Sequence, residues 1–283
     1  MKLPLPTVAC SIAVILSGIL TSRAAAAPSP SAHPPSSYLL QVNGQTYRER
    51  NPNLRRPPAS LTKIMTALVV LENGHMDEVV TVSASASRET GSRIGLRRGD
   101  RLKVRDLLAA TLIASANDAA RALADHLGGN QKAFVKRMND RAHSLNLQDT
   151  HFTNACGHDQ KGLYTTAHDL AILSEHALHI PLFTELVAQR TMHITTLKGH
   201  RSYNLKNKNR LIGRYPGARG VKTGTTPKAG KCLVALAERG NTRVFLILMN
   251  ARNRWQIAPG LLDAGFAAGQ EAKPSQHLKK KPE

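Results

Sequence analysis

The sequence is poor in acidic and in aromatic residues. It holds 19 Asp and Glu against 39 Lys and Arg, so its formal net charge is +20 at pH 7. Such a charge favours a nucleic acid, a membrane surface or an anionic polymer as partner, but basic residues spread along a chain most often form only a solvated surface. Aromatic residues make up only 4% of the chain, and no zinc-finger or RNP-type pattern is present. Because base-stacking binders need exposed aromatic rings, we expect no nucleic-acid partner.

Cysteine is also scarce, with three in the chain. Cys10 lies in the N-terminal apolar run, so Cys156 and Cys232 are the two that remain for the folded protein. They either form a disulfide or are two small buried residues, and the sequence leaves both possibilities open. The 12 histidines are scattered and lack a carboxylate-rich partner pattern. We therefore expect neither a metal nor a cofactor.

Long apolar runs are absent except at the N-terminus. Lys2 precedes the apolar run 8–20, and the alanines 24–27 follow it. A basic start, a short apolar run and small residues are typical of a secretory signal peptide, and the run is short for a membrane span. We expect residues 1–26 to be cleaved, with an uncleaved anchor as the alternative. The mature chain is then expected to lack a transmembrane segment and to be exported to the periplasm or cell envelope.

The rest of the chain predicts an α+β fold. Residues 27–37 are rich in Pro, Ser and Ala and predict a flexible leader, and residues 269–283 predict a basic disordered tail. In the domain between them, residues 38–268, strand-like runs flank an Asn-Gly turn, helical periodicity follows, and strand-like runs return after Pro181. We expect an antiparallel sheet made by both ends of the domain and flanked by helices, with an inserted helical subdomain.

The most informative segment follows two prolines, Pro57 and Pro58, which lead into a helical pattern. Ser60 then lies in the first helical turn, and Lys63 follows three positions later on the same face. A serine hydroxyl needs a base to become a nucleophile, and a lysine can be that base when burial disfavours its charge. The helix N-terminus favours the negative charge of an oxyanion. By itself this spacing is common on ordinary helices.

Two further motifs follow in the chain, Ser115-x-Asn117 and Lys222-Thr223-Gly224. Ser115 lies in a break between predicted helices, where its hydroxyl can relay a proton to a leaving amine. Asn117 can position the lysine and bind a substrate amide. The third motif lies on a predicted strand.

In that strand, Lys222 offers a cation to a substrate carboxylate and Thr223 offers a hydroxyl donor. Gly224 lets a substrate backbone lie close to the strand edge. The main-chain N–H groups of Ser60 and Thr225 are expected to form an oxyanion hole. The candidate substrate-binding residues are thus Asn117, Lys222, Thr223, Gly224 and Thr225, and the candidate catalytic residues are Ser60, Lys63 and Ser115.

The three motifs occur in the order found in penicillin-binding proteins and class A β-lactamases. Over residues 36–268 the chain resembles the serine D-alanyl-D-alanine peptidases, the low-molecular-mass penicillin-binding proteins. The segments that carry the resemblance are 58–63, 115–119, 152–154 with Gly157, and 220–224. The resemblance implies a penicillin-binding-protein/β-lactamase-like fold and peptidoglycan D-Ala-D-Ala peptides as substrates. It also implies an acyl-enzyme on Ser60 that passes to water, and β-lactam antibiotics as covalent inhibitors.

The chain departs from the family pattern in two places. Cys156 stands where relatives often have histidine, and the chain ends soon after its last predicted helix, without the β-rich domain and amphipathic helix of many carboxypeptidases. That shortness and the segment 229–234 resemble the soluble DD-endopeptidases, which cut cross-links. We predict a serine-type D-Ala-D-Ala carboxypeptidase of peptidoglycan synthesis and cell-wall remodelling, with effects on cell shape. A DD-endopeptidase is the alternative.

A β-lactamase and a sensor that acylates without turnover are less favoured. Class A β-lactamases deacylate through a Glu-x-x-Leu-Asn loop. The nearest segment here, residues 175–179, lies in a predicted helix and lacks the asparagine. An intact Ser60 and Lys63 argue against a degenerate site.

Overall fold

A computed structural model describes residues 34–271 of the chain. The predicted signal peptide, residues 1–26, lies outside the described residues, as do most of the predicted leader and tail. Ser37 already belongs to the first strand, and the last helix continues to Glu271, past the predicted domain boundary at residue 268.

Strands from both ends of the domain form one five-stranded antiparallel sheet with the order β2-β1-β9-β8-β7. The strands of the described part of the chain are β1 Ser37–Val42, β2 Gln45–Arg50, β3 Val79–Thr81, β4 Arg101–Lys103, β5 Thr191–Thr195, β6 Ser202–Lys206, β7 Ala218–Thr226, β8 Gly230–Arg239 and β9 Thr242–Met249. Leu40 of β1 lies opposite Leu246 of β9, which joins the two ends of the domain. The predicted α+β architecture is thereby confirmed.

The strands predicted just after Pro181 do not enter this sheet. β5 and β6 pair with each other alone, and β3 pairs with β4 in another small sheet. In β5 and β6 only Ile194 and Leu205 are fully buried. A ribbon with so little apolar surface covers the edge of a core rather than crossing it.

Among the described residues, the helices lie between β2 and β5 and after β9. They are α1 Lys63–Asn73, α2 Ala84–Ser87, α3 Val104–Leu112, α4 Asn117–Gly128, α5 Gln131–Ser144, α6 Ala167–Leu178, α7 Pro181–Ala188 and α8 Arg254–Glu271, and a 3-10 turn, Ala59–Thr62, precedes α1. The sequence pattern predicts no helix here, because Pro181 indicates a break; in the structure Pro181 is the first residue of α7, since proline is well suited to the first helical turn. Within residues 34–271 no single helix meets the length and hydropathy needed to cross a bilayer, and α6 with α7 does so only jointly, across a 106° bend.

Apolar side chains pack on both faces of the main sheet. On one face, α1 is the central helix and is buried along most of its length. On the other face, Ala258, Leu262 and Phe266 of α8 pack against alternate residues of β1, β8 and β9. Because both faces are covered, the middle of β8 and nearly all of β9 are buried. The strand left at the edge beside the 3-10 turn is β7.

Candidate active site

Ser60 lies on the 3-10 turn and Lys63 is the first residue of α1. The Lys63 side chain is fully buried, with its Nζ 3.1 Å from Ser60 Oγ. Nζ also donates to Asn117 Oδ1 at 2.6 Å and to the main-chain oxygen of Cys156 at 2.7 Å. Burial lowers the pKa of Lys63 from its usual 10.5 to about 8, although nearby acidic groups act in the opposite direction.

These contacts suit an uncharged lysine. A neutral amine has two N–H bonds and one lone pair. Asn117 Oδ1 and the Cys156 carbonyl oxygen can only accept, so they take the two N–H groups. The lone pair is then left for the hydroxyl proton of Ser60. The predicted pair is therefore brought together in the orientation that a base and a nucleophile require.

Ser115 and Lys222 form a second contact between predicted site residues. Ser115 lies between α3 and α4 with φ +58°, a left-handed conformation that turns its side chain out of the helical path. Buried Lys222 donates to Ser115 Oγ at 2.7 Å and to the main-chain oxygen of Thr223 at 3.1 Å. Burial lowers the pKa of Lys222 well below 10.5, and the neighbouring cations Lys63, Arg254 and Lys208 lower it further. An anion bound beside Lys222 would offset that repulsion.

Both polar atoms of the Asn117 side-chain amide make hydrogen bonds within the protein. Its Oδ1 accepts the bond from Lys63, and its Nδ2 donates to the main-chain oxygen of Thr90 at 2.5 Å. The predicted positioning of Lys63 is therefore supported by direct contact. One of the two Nδ2 hydrogens is used for Thr90, which leaves the other for the predicted bond to a substrate amide.

A groove of about 330 Å³ lies between the 3-10 turn and the end of β7. Five predicted residues line it: Ser60, Ser115, Thr223, Gly224 and Thr225. The other three, Lys63, Asn117 and Lys222, are buried next to these. All eight predicted residues therefore belong to one site.

Gly224 has a role that was not predicted. A Cβ at this position would lie 3.0 Å from Pro58 O, Ala59 Cβ and Ser60 N. The glycine thus allows β7 to pack directly against the turn that carries the serine, whereas the sequence-based expectation was that it makes room for a substrate backbone.

Arg254 and Trp255 line the groove and were not predicted. Arg254 Nη1 donates to the main-chain oxygen of Gly224 at 2.6 Å and to Thr225 Oγ1 at 3.0 Å. It also donates to Cys232 O at 2.9 Å, so it joins β7 and β8. Both residues belong to the start of α8, about thirty positions from the motif that Arg254 contacts. The one signal in the sequence was the single tryptophan of the chain, which follows an arginine.

The resemblance in residues 152–154 also has a physical reason. Asn154 Oδ1 accepts from the main-chain N–H groups of Cys156, Gly157 and His158 at 3.2, 2.7 and 3.0 Å. This turn holds the Cys156 carbonyl toward Lys63 Nζ. The Asn154 side chain therefore fixes one of the two acceptors of the lysine.

Cys156 and Cys232 are both free and buried. The Cys156 thiol donates to the main-chain oxygen of Asn117 at 3.4 Å, and burial raises its pKa to about 12. Of the two possibilities left open by the sequence, the structure shows small buried residues and no disulfide between them.

One cluster could hold a metal ion by distance alone. The ligand atoms of Glu89, Cys156 and His158 lie within 4.8 Å of one another. However, the Glu89 carboxylate contacts His158 Nε2 at 2.9 Å and Arg121 Nη1 at 3.2 Å. Because Arg121 already pairs with the Glu89 carboxylate, the cluster is better suited to internal ion pairing than to a cation.

The segment nearest to a β-lactamase deacylation loop lies in α6, as predicted. Its Glu175 makes a two-pronged ion pair with Arg243 of β9, at 2.7 and 2.9 Å. That carboxylate does not line the groove. It therefore offers no base for a water molecule beside Ser60.

This fold and this site define the class of enzymes that acylate a serine followed three residues later by a lysine, the class of penicillin-binding proteins and serine β-lactamases. Within it, the chain belongs to the D-alanyl-D-alanine carboxypeptidase family, peptidase family S11, whose sequence profile matches residues 24–253.

Similar proteins agree with this membership. The chain is 36% identical over 246 residues to D-alanyl-D-alanine carboxypeptidase DacF of Bacillus subtilis, covering 83% of this chain but 63% of that relative. It is 32% identical over 258 residues to a D-alanyl-D-alanine endopeptidase of Pseudomonas aeruginosa, covering 86% of this chain and 82% of that one. The crystal structure of the Streptomyces K15 DD-transpeptidase matches with a TM-score of 0.77 and 32% identity, over 82% of this chain and 97% of that one.

Proposed function

We propose that the chain is a serine-type D-Ala-D-Ala carboxypeptidase that acts on peptidoglycan stem peptides. The observation that carries this proposal is the distance of 3.1 Å between Lys63 Nζ and Ser60 Oγ. Nζ also donates hydrogen bonds to Asn117 Oδ1 and to the main-chain oxygen of Cys156. Family membership and relatives with this activity support it. The chain spans 63% of the length of the first of these relatives, so the activity is inferred from the shared domain.

In acylation, Ser60 Oγ attacks the carbonyl carbon between the two D-alanines while its proton passes to Lys63 Nζ. The N–H groups of Ser60 and Thr225 stabilise the oxyanion. Ser115, in contact with Lys222, relays to the leaving amine the proton that Lys63 took up, and the terminal D-Ala departs. Water then attacks the ester: its hydroxyl joins the acyl group, and its other proton returns through Lys63 to Ser60 Oγ, which is freed.

The groove supplies charges for a peptide that ends in a carboxylate. Lys222 Nζ donates to the main-chain oxygen of Thr223, and Arg254 Nη1 donates to the main-chain oxygen of Gly224 and to Thr225 Oγ1. A terminal carboxylate between them makes charge-assisted hydrogen bonds. β7 is one of the two edge strands of the sheet, so a peptide backbone can add alongside it. β-Lactams present a strained amide and a carboxylate to the same groups and trap Ser60 as a stable ester.

The test is the mass of the protein after exposure to benzylpenicillin, together with D-Ala release from a pentapeptide. We expect one penicilloyl adduct and D-Ala release from the unmodified chain, and neither from Ser60→Ala. Ser202→Ala, which changes an exposed serine on β6, is the matched control and should behave like the parent. An adduct that persists in Ser60→Ala would show that the nucleophile is a different residue.

A DD-endopeptidase is the second candidate, because the match to the Pseudomonas aeruginosa endopeptidase covers 82% of that relative. Incubation with a pentapeptide monomer and with a cross-linked dimer separates the two activities. Faster cleavage of the dimer would favour the endopeptidase. Rapid, repeated hydrolysis of a chromogenic cephalosporin would instead identify a β-lactamase, and acylation without D-Ala release a sensor. With each of the two peptidases we propose export, to the periplasm or cell envelope, where the substrate is.

A further inference from the structure

The groove holds more positive charge than one terminal carboxylate requires. Lys222 and Arg254 donate to main-chain oxygens of the Lys-Thr-Gly strand. Lys208 and Arg210 also line the groove, and among residues 34–271 their side chains make no hydrogen bond. Over residues 34–271, no carboxylate lies within ion-pair distance of any of these four cations. No acidic residue lines the groove either. The charge is therefore open to an anionic ligand.

The main chain that carries Lys208 and Arg210 is fixed to the site. Asn209, between them, is buried, and its Nδ2 donates to Gly220 O of β7 at 2.8 Å. Asn209 Oδ1 accepts from the N–H of Leu211 at 3.0 Å, and the N–H of Lys208 donates to the main-chain oxygen of Ile113 at 3.2 Å. The two flanking side chains are exposed on the groove side. Their position is thus set by a buried anchor.

The four cations also act on one another. Lys208 contributes to the lowered pKa of Lys222, after burial, Lys63 and Arg254. Arg210 contributes likewise to the lowered pKa of Arg254, where burial is again the largest cause. Both Arg210 and Arg254 lie over the ring of Trp255, with Cζ 6.0 and 4.8 Å from its centroid. A single carboxylate bound by Lys222 and Arg254 would neutralise only part of this positive charge. The charges of Lys208 and Arg210 would remain without a counter-ion.

We propose that Lys208 and Arg210 form a second anion subsite, which binds a carboxylate carried by the acyl part of the D-Ala-D-Ala peptide. This inference rests on the proposed function and adds a substrate class to it: stem peptides with a free carboxylate before the two D-alanines, in preference to amidated ones.

Two peptides test the subsite. Both end in D-Ala-D-Ala, and they differ only in a carboxylate or a carboxamide on the side chain of the preceding residue. From the usual strength of partly exposed ion pairs, we expect kcat/KM to be about three- to ten-fold higher for the carboxylate peptide, with a preference that shrinks as salt is added. In Lys208→Gln and Arg210→Gln the ratio of the two kcat/KM values should fall, and in the double variant it should approach one. Arg214→Gln removes the same charge from an exposed side chain outside the groove and should keep the ratio.

The outcomes separate this inference from the proposed function. A penicilloyl adduct and D-Ala release with equal kcat/KM for the two peptides would overturn the subsite and leave the carboxypeptidase proposal intact. Equal losses on both peptides in Lys208→Gln and Arg210→Gln would also overturn it, since they would assign both cations to the terminal carboxylate. Absence of any adduct and of any D-Ala release would overturn the proposed function, and the subsite with it. Adduct formation by each variant shows that it is folded.

Discussion

At the scale of single residues, burial lowers the pKa of Lys63 to about 8, and this has a consequence for the pH dependence of acylation. We expect the rate of Ser60 acylation by a fluorescent penicillin to rise with pH through about 8, because the Nζ accepts the serine proton only after losing its own. The measurement is a stopped-flow pH profile at saturating protein. A rate that does not change across this interval would show that Lys63 is not the titrating base.

The same pKa shift affects stability. In the unfolded chain Lys63 keeps its proton up to about 10.5, whereas in the folded protein it loses the proton near 8. Between these values the unfolded state binds more protons, so the free energy of unfolding should rise with pH, and Lys222 acts in the same direction. Denaturant unfolding at several pH values measures the slope. Lys63→Met, which buries no amine, should reduce it.

Asn117 offers a sharper test of the lysine environment. Asn117→Asp replaces the neutral acceptor 2.6 Å from Lys63 Nζ by a carboxylate of nearly the same shape. An adjacent negative charge favours the protonated amine, so the pKa of Lys63 should rise and the fraction of neutral amine at pH 7 should fall. We expect acylation at pH 7 to fall at least about ten-fold, the equivalent of one pKa unit, and to recover partly at higher pH. A uniform loss at every pH would indicate distortion instead.

At the scale of elements, the packing of the turn at residue 157 against the 3-10 turn should be sensitive to a single methyl group. Gly157 and Gly162 both have φ +87°, so alanine costs similar backbone strain at either position. A Cβ at Gly157 overlaps the main-chain oxygen of Ala59, whereas at Gly162 the nearest side-chain atom is 3.6 Å away. We expect Gly162→Ala to cost about 1–2 kcal/mol of stability and to keep acylation. Gly157→Ala should cost more and should also slow acylation; equal effects would contradict this account.

Sequence patterns predict some boundaries of helices and strands correctly and miss others. The break at Ser115 and the Thr166 cap of α6 are local features, and both lie where they were predicted. Helix α7 was missed because Pro181 is compatible with a helix start as well as with a break. The pattern of residues predicts β5 and β6 as strands. It does not indicate which strand each one pairs with, because pairing depends on the packing of distant parts of the chain.

At the scale of the whole molecule, α8 closes the face of the sheet that lies away from α1. Leu262→Ala removes a fully buried side chain from this layer, which should cost about 2–5 kcal/mol of stability. Leu261→Ala, at a partly buried neighbour, should cost less. Because neither side chain lines the groove, the acylation rate of the folded protein should stay near that of the parent. Thermal melting and penicillin labelling, measured together, distinguish this from a loss of the site.

The three motifs were recognisable because each is a short run of adjacent residues. The groove that they form is completed by Arg254 and Trp255, which reach β7 only because β9 lies beside β8 and the chain then turns into α8. That proximity is a property of the sheet order and has no short pattern in the sequence. The contacts of Gly224 with the 3-10 turn were hidden for the same reason.

The position of Trp255 gives the protein an internal optical reporter. It is the only tryptophan of the chain, and it forms part of the groove wall. The guanidinium groups of Arg210 and Arg254 both lie over its ring. Any molecule that enters the groove and draws these arginines toward itself alters the surroundings of the one indole. Its emission spectrum therefore records occupancy directly, without an attached dye and before any bond to Ser60 is made.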